Sequence, residues 1–252
     1  MKITRLNEEG INRIGSLMKI TKYNKANDIE VYFPEYDWTA KHIEYGKFKK
    51  GQVKCPYEPR VYNIGCIGEG QYKAYKNNIV TKEYRAWKDM LKRCYDPKYQ
   101  KKYPTYKDCT VCDDWLNFQN FAKWLNDNYY TVNEEAMCLD KDILIKGNKI
   151  YSPDTCIFVP ENINLLFINN KVKRGECPIG VSYVRRNKKY QAKCCIGKHE
   201  KFLGYYSTPE EAFAAYKTFK EKYIKEIADQ YKELIPETLY NAMYEYEIEW
   251  ED

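Results

Sequence analysis

Histidine is almost missing from this chain: two in 252 residues, His42 and His199. The side chain that most often serves as general base or metal ligand near neutral pH is therefore scarce. Long apolar runs are missing too. No stretch approaches the ~20 residues of a membrane span, and the opening MKITRLNEEG has no apolar segment of signal-peptide type. The expectation is a soluble, cytoplasmic protein with no membrane partner. Zinc motifs are incomplete: Cys109 and Cys112 have ligand spacing, but no second pair of that spacing exists, and Cys94, Cys138 and Cys156 are scattered singly. No zinc is expected, and the ten cysteines read as reduced, buried thiols. Phosphate-loop fingerprints are absent as well. Gly65, Gly68 and Gly70 in IGCIGEG fall in the order of neither motif and read as a linker.

What is present is enough to bury a core: 44% of residues are hydrophobic and 31% charged, as suits two or three small units. The net charge of +6 is unevenly spread. From Lys171 to Tyr206 ten cations (Lys171, Lys173, Arg174, Arg185, Arg186, Lys188, Lys189, Lys193, Lys198, Lys201) face Glu176 and Glu200 alone. From Glu226 to Asp252 nine acids face only Lys232. A concentrated basic segment suits a polyphosphate partner, with a lysine-rich exposed sheet as the plainer reading; the acidic end is expected to be a solvated tail following a second helix, the alternative being that it folds over the basic sheet and competes with that partner.

Residues 1–68 read as a small β module. SLMKITKY and DIEVYFP alternate at Met18 and Ile20 and at Ile29, Val31 and Phe33 around an NKAN turn, a hairpin expected to belong to a small barrel. Tyr45, Phe48, Val53 and Cys55 suggest further short strands. Residues 80–170 open with a helix from about Lys82, whose Tyr84, Trp87, Leu91 and Cys94 share a face. The loop YDPKYQKKYPTYK interleaves tyrosine with lysine, a composition that suits base stacking with phosphate pairing and suits a solvated loop equally. A second helix follows with Trp115, Phe118, Ala122 and Leu125 inward and Asp113 or Asp114 as cap. LDKDILIKGNKIYSPDTCIFVPENIN then predicts strand (Met137 to Ile143), turn, strand (Thr155 to Val159) and a short helix from Glu161. In residues 174–235, Tyr190, Ala192, Cys194 and Ile196 alternate with Gln191, Lys193 and Cys195, and Gly197 makes a hairpin turn. Thr208, Pro209 and Glu211 form a capping box for a helix buried through Ala212, Ala215, Tyr216, Phe219 and Tyr223. Residues 236–252 are the acidic tail.

Together RCYDP, TVCDDW, the GNK turn and YSPDTCIFVPENIN resemble the HNH homing-endonuclease-like proteins of bacteriophages, over roughly Tyr84 to Asn170. That resemblance implies a ββα-metal unit. In the family a His ending the first strand activates water, while an Asp or His and an Asn hold a divalent cation. Here the strand reads Leu139-Asp140-Lys141-Asp142, both histidines lie elsewhere, and Thr155 stands where the family's second-strand Asn falls. Asp140, Lys141 and Asp142 are the candidate catalytic residues, although a lysine protonated at neutral pH makes a poor base. Asp140 and Asp142, on one side of a strand, with Asn148 and Asn162, are the candidate ligands for Mg2+ or another divalent cation.

The segment with GV, YQAK, KFLGYYSTPEEA and AAY resembles the plant ethylene-response-factor (apetala-two) DNA-binding domain, three antiparallel strands backed by one helix. The resemblance puts Ser182, Val184, Arg186, Lys193, Cys195 and Phe202 on a face that reads the major groove of double-stranded DNA. Two positions that carry arginine in the plant proteins are Ser182 and Val184 here. Arg185, Lys188, Lys189 and Lys201 are assigned to phosphates, and Gln191 completes the candidate DNA-binding set.

The fold expected is therefore α+β: an N-terminal β module, a central helical, ββα-metal-like unit and a C-terminal three-stranded sheet packed on a helix. The function expected is a phage-type DNA-binding protein that nicks DNA with a metal ion. The alternatives are a catalytically silent DNA-binding regulator and a counter-defence protein that binds a host nuclease or immune protein.

Overall fold

The apolar alternation at Met18, Ile20, Ile29, Val31 and Phe33 folds as the periodicity dictates, with all five side chains fully buried on one sheet face. The computed structural model describes residues 5–168, 176–197 and 199–252. It is α+β and divides into two compact units, Met1–Asp127 and Asn128–Asp252. The division falls inside the 80–170 stretch that the sequence patterns join together.

In the first unit β1 (Glu9–Ile11), β2 (Leu17–Lys25), β3 (Asp28–Phe33) and β4 (Trp38–Ile43) form an antiparallel meander. The sheet is open, with β1 and β4 at its edges, and not the barrel expected. The Tyr45 to Phe48 stretch is likewise not a strand. It is a helical turn, α1 (Tyr45–Lys49), whose i,i+3 spacing stacks the two rings 6.1 Å apart and lets Phe48 close the core beside Val53 and Cys55.

The IGCIGEG segment is a packed strap and no linker. A side chain at Gly65 would meet Leu91 and Trp87, so only glycine admits that close approach. Gln119, itself buried, holds the strap by donating to the carbonyls of Ile67 (3.2 Å) and Tyr72 (3.0 Å) and accepting from Tyr72 N (3.1 Å). A two-residue hairpin follows, β5 (Tyr75–Lys76) and β6 (Ile79–Val80), turning through Asn77 and Asn78, both at positive φ. Thr81 caps α2 (Lys82–Tyr95), which buries Tyr84, Trp87, Leu91 and Cys94. After α3 (Pro97–Lys102) and β7 (Thr110–Val111), α4 (Phe118–Asn128) begins later than the sequence suggests. Residues 113–116 are a 3-10 turn, and Asn117, not Asp113 or Asp114, accepts from the first-turn amide of Gln119. Trp115, Phe118, Ala122 and Leu125 are buried as predicted.

The second unit starts with β8 (Met137–Asp140), β9 (Ile150–Tyr151) and β10 (Ile157–Pro160), followed by the single turn α5 (Glu161–Asn164). Then come β11 (Val181–Val184), β12 (Lys189–Ile196) and β13 (His199–Tyr206), an antiparallel sheet in that order, with α6 (Pro209–Tyr231) against one face. Gly197, at φ +57°, turns β12 into β13. The Thr208–Glu211 capping box is present with Pro209 in the first turn.

On α6 the deepest row runs every fourth residue through Ala212, Tyr216, Lys220, Ile224 and Ala228, while Ala215, Phe219 and Tyr223 flank it half-buried. Lys220 is the exception in that row, and burial pushes its ammonium pKa down. One apolar core joins Val159 and Ile163 of the β8–β10 hairpin region to Ala192 and Cys194 of the sheet and to α6. It also takes in the chain end. Residues 236–252 are not a solvated tail: α7 (Glu237–Tyr244) buries Leu239 and Met243 completely, and Ile248 is 3% exposed. All ten cysteines are unbridged. Among the described residues no helix is long and apolar enough to cross a membrane.

Candidate nucleic-acid interface

The β8–β10 hairpin pairs Ile157 with Asp140 and Phe158 with Leu139, and there the ladder ends. Asp142 therefore does not lie on the strand with Asp140, because the chain turns immediately after it. The turn is made by Asp140 itself: Oδ1 accepts from the amides of Asp142 (2.9 Å) and Ile143 (2.7 Å). Burial and, next, the Asp142 charge push the Asp140 carboxyl pKa up, only partly offset by those two amides and by Lys141. Lys141 is buried and pairs with Asp142 at 3.0 Å. Burial also holds the neighbouring Cys156 thiol protonated, its pKa pushed up to about 12.

The two candidate asparagines are occupied elsewhere. Asn148 closes the turn loop, its amide donating to the carbonyls of Lys141 (2.6 Å) and Ile150 (2.7 Å) while Oδ1 accepts from Ile150 N (3.2 Å). Asn162 on α5 donates to Glu135 at 2.9 Å, and Glu135 also accepts from the Tyr231 hydroxyl at 2.6 Å. Thr155 donates to the Ile150 carbonyl at 2.7 Å and so belongs to the loop's internal bonding. Among the described residues no three His, Cys, Asp or Glu side chains are grouped to hold a metal ion. Asp140, Asp142, Asn148 and Asn162 do not fit a divalent cation as they stand: one carboxylate is committed to amides, one to a lysine, and the two carboxamides to separate partners.

The three-stranded sheet presents a different surface. Its register sets Ser182, Gln191 and Tyr205 in one row, Val184 opposite Lys189, and Lys193 opposite Phe202. These side chains stand away from α6, because Val181, Ala192 and Cys194 on the opposite face are the buried ones. Arg185, Arg186 and Lys188 lie in the β11–β12 turn, with Lys188 at φ +48°, at one end of that face. With Lys189 they are exposed and without a carboxylate partner among the described residues. Lys193 is paired with Glu200 at 3.2 Å.

Lys201 departs from its assignment. It is opposite Cys194, on the helix side, with Nζ 4.6 Å from the centre of the Phe219 ring. Lys171, Lys173, Arg174 and Lys198 lie outside the described residues.

Tyr205 was hidden from the sequence patterns. Strict alternation from Phe202 predicts Gly204 and Tyr206 as its companions, but a bulge opposite Ala192 and Lys193 shifts the register by one. Phe202 and Tyr205 consequently share the outer face, with rings 5.0 Å apart and exposures of 51% and 45%.

Compared with known proteins, the chain matches no family model, no curated protein and no solved structure.

Proposed function

We propose that the chain is a DNA-binding protein that lays the outer face of β11–β13 in the major groove of duplex DNA and does not cut it. The observation that carries this reading is the sheet register. It gathers Lys189, Gln191, Lys193, Phe202 and Tyr205 on the face that has no core duty, beside the unpaired cations of the Arg185–Lys188 turn. The strand order and the single backing helix agree with the arrangement that the apetala-two resemblance implies. In this reading Arg185, Lys188 and Lys189 neutralise phosphates, while Arg186, Gln191 and Lys193 address base edges and the Phe202–Tyr205 pair meets apolar groups such as thymine methyls. Cleavage is the weaker reading because Asp140, Asp142, Asn148 and Asn162, which would hold a cation, are committed to other partners.

Anisotropy titrations of the full chain against a random-sequence duplex library, followed by selection of preferred sites, test the proposal. Binding should weaken steeply with salt. Arg185→Gln and Lys189→Gln should each make the log–log slope shallower by about 0.9. Arg186→Ala or Gln191→Ala should instead cost about 1 to 3 kcal/mol on the selected site and little on random duplex. No binding at low salt would sink the DNA assignment and turn attention to a protein partner of host defence. Relaxation of supercoiled plasmid that requires Mg2+ or Mn2+ and is lost in Asp140→Ala would restore the nuclease reading.

A further inference from the structure

Six cations crowd the stretch from Lys92 to Lys107 in the first unit, and its single acid, Asp96, is engaged: Oδ1 caps α3 by accepting from the amides of Lys98 (2.9 Å) and Tyr99 (3.2 Å). Lys98, Lys101, Lys102 and Lys107 are exposed. Among the described residues none of these four, nor Lys92, has a carboxylate within ion-pair distance, whereas lysines on other helices pair along their own helix, as Lys123 does with Asp127 and Lys217 with Glu221. Like charges held this close repel one another, a cost that a polyanion would relieve.

The interleaved tyrosines cluster with one another, Tyr99 half-buried and Tyr103 39% exposed. Tyr99 lies 4.7 Å from Tyr103 and 5.9 Å from Tyr106, ring centre to ring centre. Cations cover these rings: Lys92 Nζ is 5.1 Å from the Tyr99 centroid, the Arg93 guanidinium 5.8 Å from Tyr106, and Lys102 Nζ 5.1 Å from Tyr103. Ring faces so occupied are platforms that steady charge and not free surfaces for bases. The covered rings take base stacking out of the first reading of this loop, and the exposed lysines without carboxylate partners among the described residues favour what is left of it, phosphate pairing, over a plain solvated loop.

We infer that the α2–α3 lysine cluster is a second contact to nucleic acid, made to the phosphate backbone and indifferent to sequence. It rests on the DNA-binding reading and extends it to a surface in the other unit. In the full chain, Lys98→Gln/Lys101→Gln/Lys102→Gln should make the log–log salt slope shallower by about 2 to 3, as three lost phosphate contacts require. The loss should be equal on the preferred site and on random duplex and slightly smaller, about 2, on single strands of matched length, and the triple arginine variant should keep the wild-type slope. An unchanged slope in the glutamine variant, with sheet-dependent binding intact, overturns this cluster and leaves the sheet reading standing. A slope loss confined to one sequence also overturns it, because backbone contacts carry no sequence preference. Absence of any binding by the wild type overturns both.

Discussion

The side-chain amide of Asn148 donates to the carbonyl of Lys141 at 2.6 Å, so the residue expected to complete a metal shell instead ties off the loop that begins just after Asp140. Its second donor goes to Ile150 at 2.7 Å and its oxygen takes Ile150 N. Asn148→Ala should therefore lower stability by about 1 kcal/mol, through the Lys141 carbonyl and the Ile150 amide, which lose these bonds while Thr155 still donates to the Ile150 carbonyl. DNA affinity should stay within about twofold. Chemical denaturation and titration of the same sample check both. A large affinity loss with unchanged stability would return Asn148 to a functional role.

Asp140 should shape the pH dependence of stability. Its folded-state pKa is raised, so folding holds the proton more tightly than the unfolded chain does. The sign follows: the penalty is absent below the ordinary carboxylate pKa of about 3.9 and grows as pH rises through the raised value. Asp140→Asn keeps the oxygen that accepts from Asp142 and Ile143 while removing the charge. Its stability relative to wild type should improve as pH rises from about 4 to 7, read from denaturant midpoints at each pH. A parallel pair of pH curves would count against this account.

Glu58 should act with the opposite sign. It is fully buried in the first unit, where burial pushes its pKa up but hydrogen bonds from Arg60, Ser16 and Asn12 outweigh it, so the net shift is downward. The amide of Cys55 also donates to it at 3.2 Å. The stabilisation is present above the unfolded glutamate pKa of about 4.3 and is lost as pH falls through the lower folded value. Glu58→Gln takes the counter-charge from the half-buried Arg60 guanidinium, and the expected cost at neutral pH is about 1 to 3 kcal/mol. Thermal scans at pH 7 and pH 3.5 should show the deficit shrinking with acid.

Truncation after Pro236 should unfold the second unit and not release a masked DNA surface. The deletion takes Leu239, Met243 and Ile248 out of the core, together with the Lys217 bond to the Ile248 carbonyl at 2.8 Å. Lys146 would lose the Glu247 carbonyl and Asp252, each at 2.8 Å. The milder Leu239→Ala should cost about 2 to 5 kcal/mol. Tighter DNA binding by a fully folded truncated chain would instead show that the acidic end competes with phosphate.

Periodicity made the helices and the β2–β3 hairpin legible, because Trp87, Leu91 and Met18 to Phe33 need only local spacing to declare a buried face. Periodicity also separated the two faces of β12, whereas Ser182, Val184 and Phe202 were placed by the resemblance alone, and the bulge concealed Tyr205. Distance in sequence hid the rest. Nothing local in IGCIGEG announces that Gln119 will hold it, and nothing in the acidic ending announces that Leu239 and Met243 are core. The hairpin motif was readable as a hairpin. What its polar side chains do was not, since Asp140, Asn148 and Asn162 choose partners that depend on where the turn, Glu135 and Tyr231 fall.

The single core that runs from Val159 and Ile163 through Ala192 to Leu239 and Ile248 also limits how this protein can be divided. A piece grafted from residues 176–235 would carry the three-stranded sheet but leave Val159, Ile163, Leu239 and Met243 behind, baring the apolar side of α6. A piece that keeps this core whole spans Asn128 to Asp252. Any natural shuffling of this surface between proteins would have had to move the hairpin and the acidic ending with it.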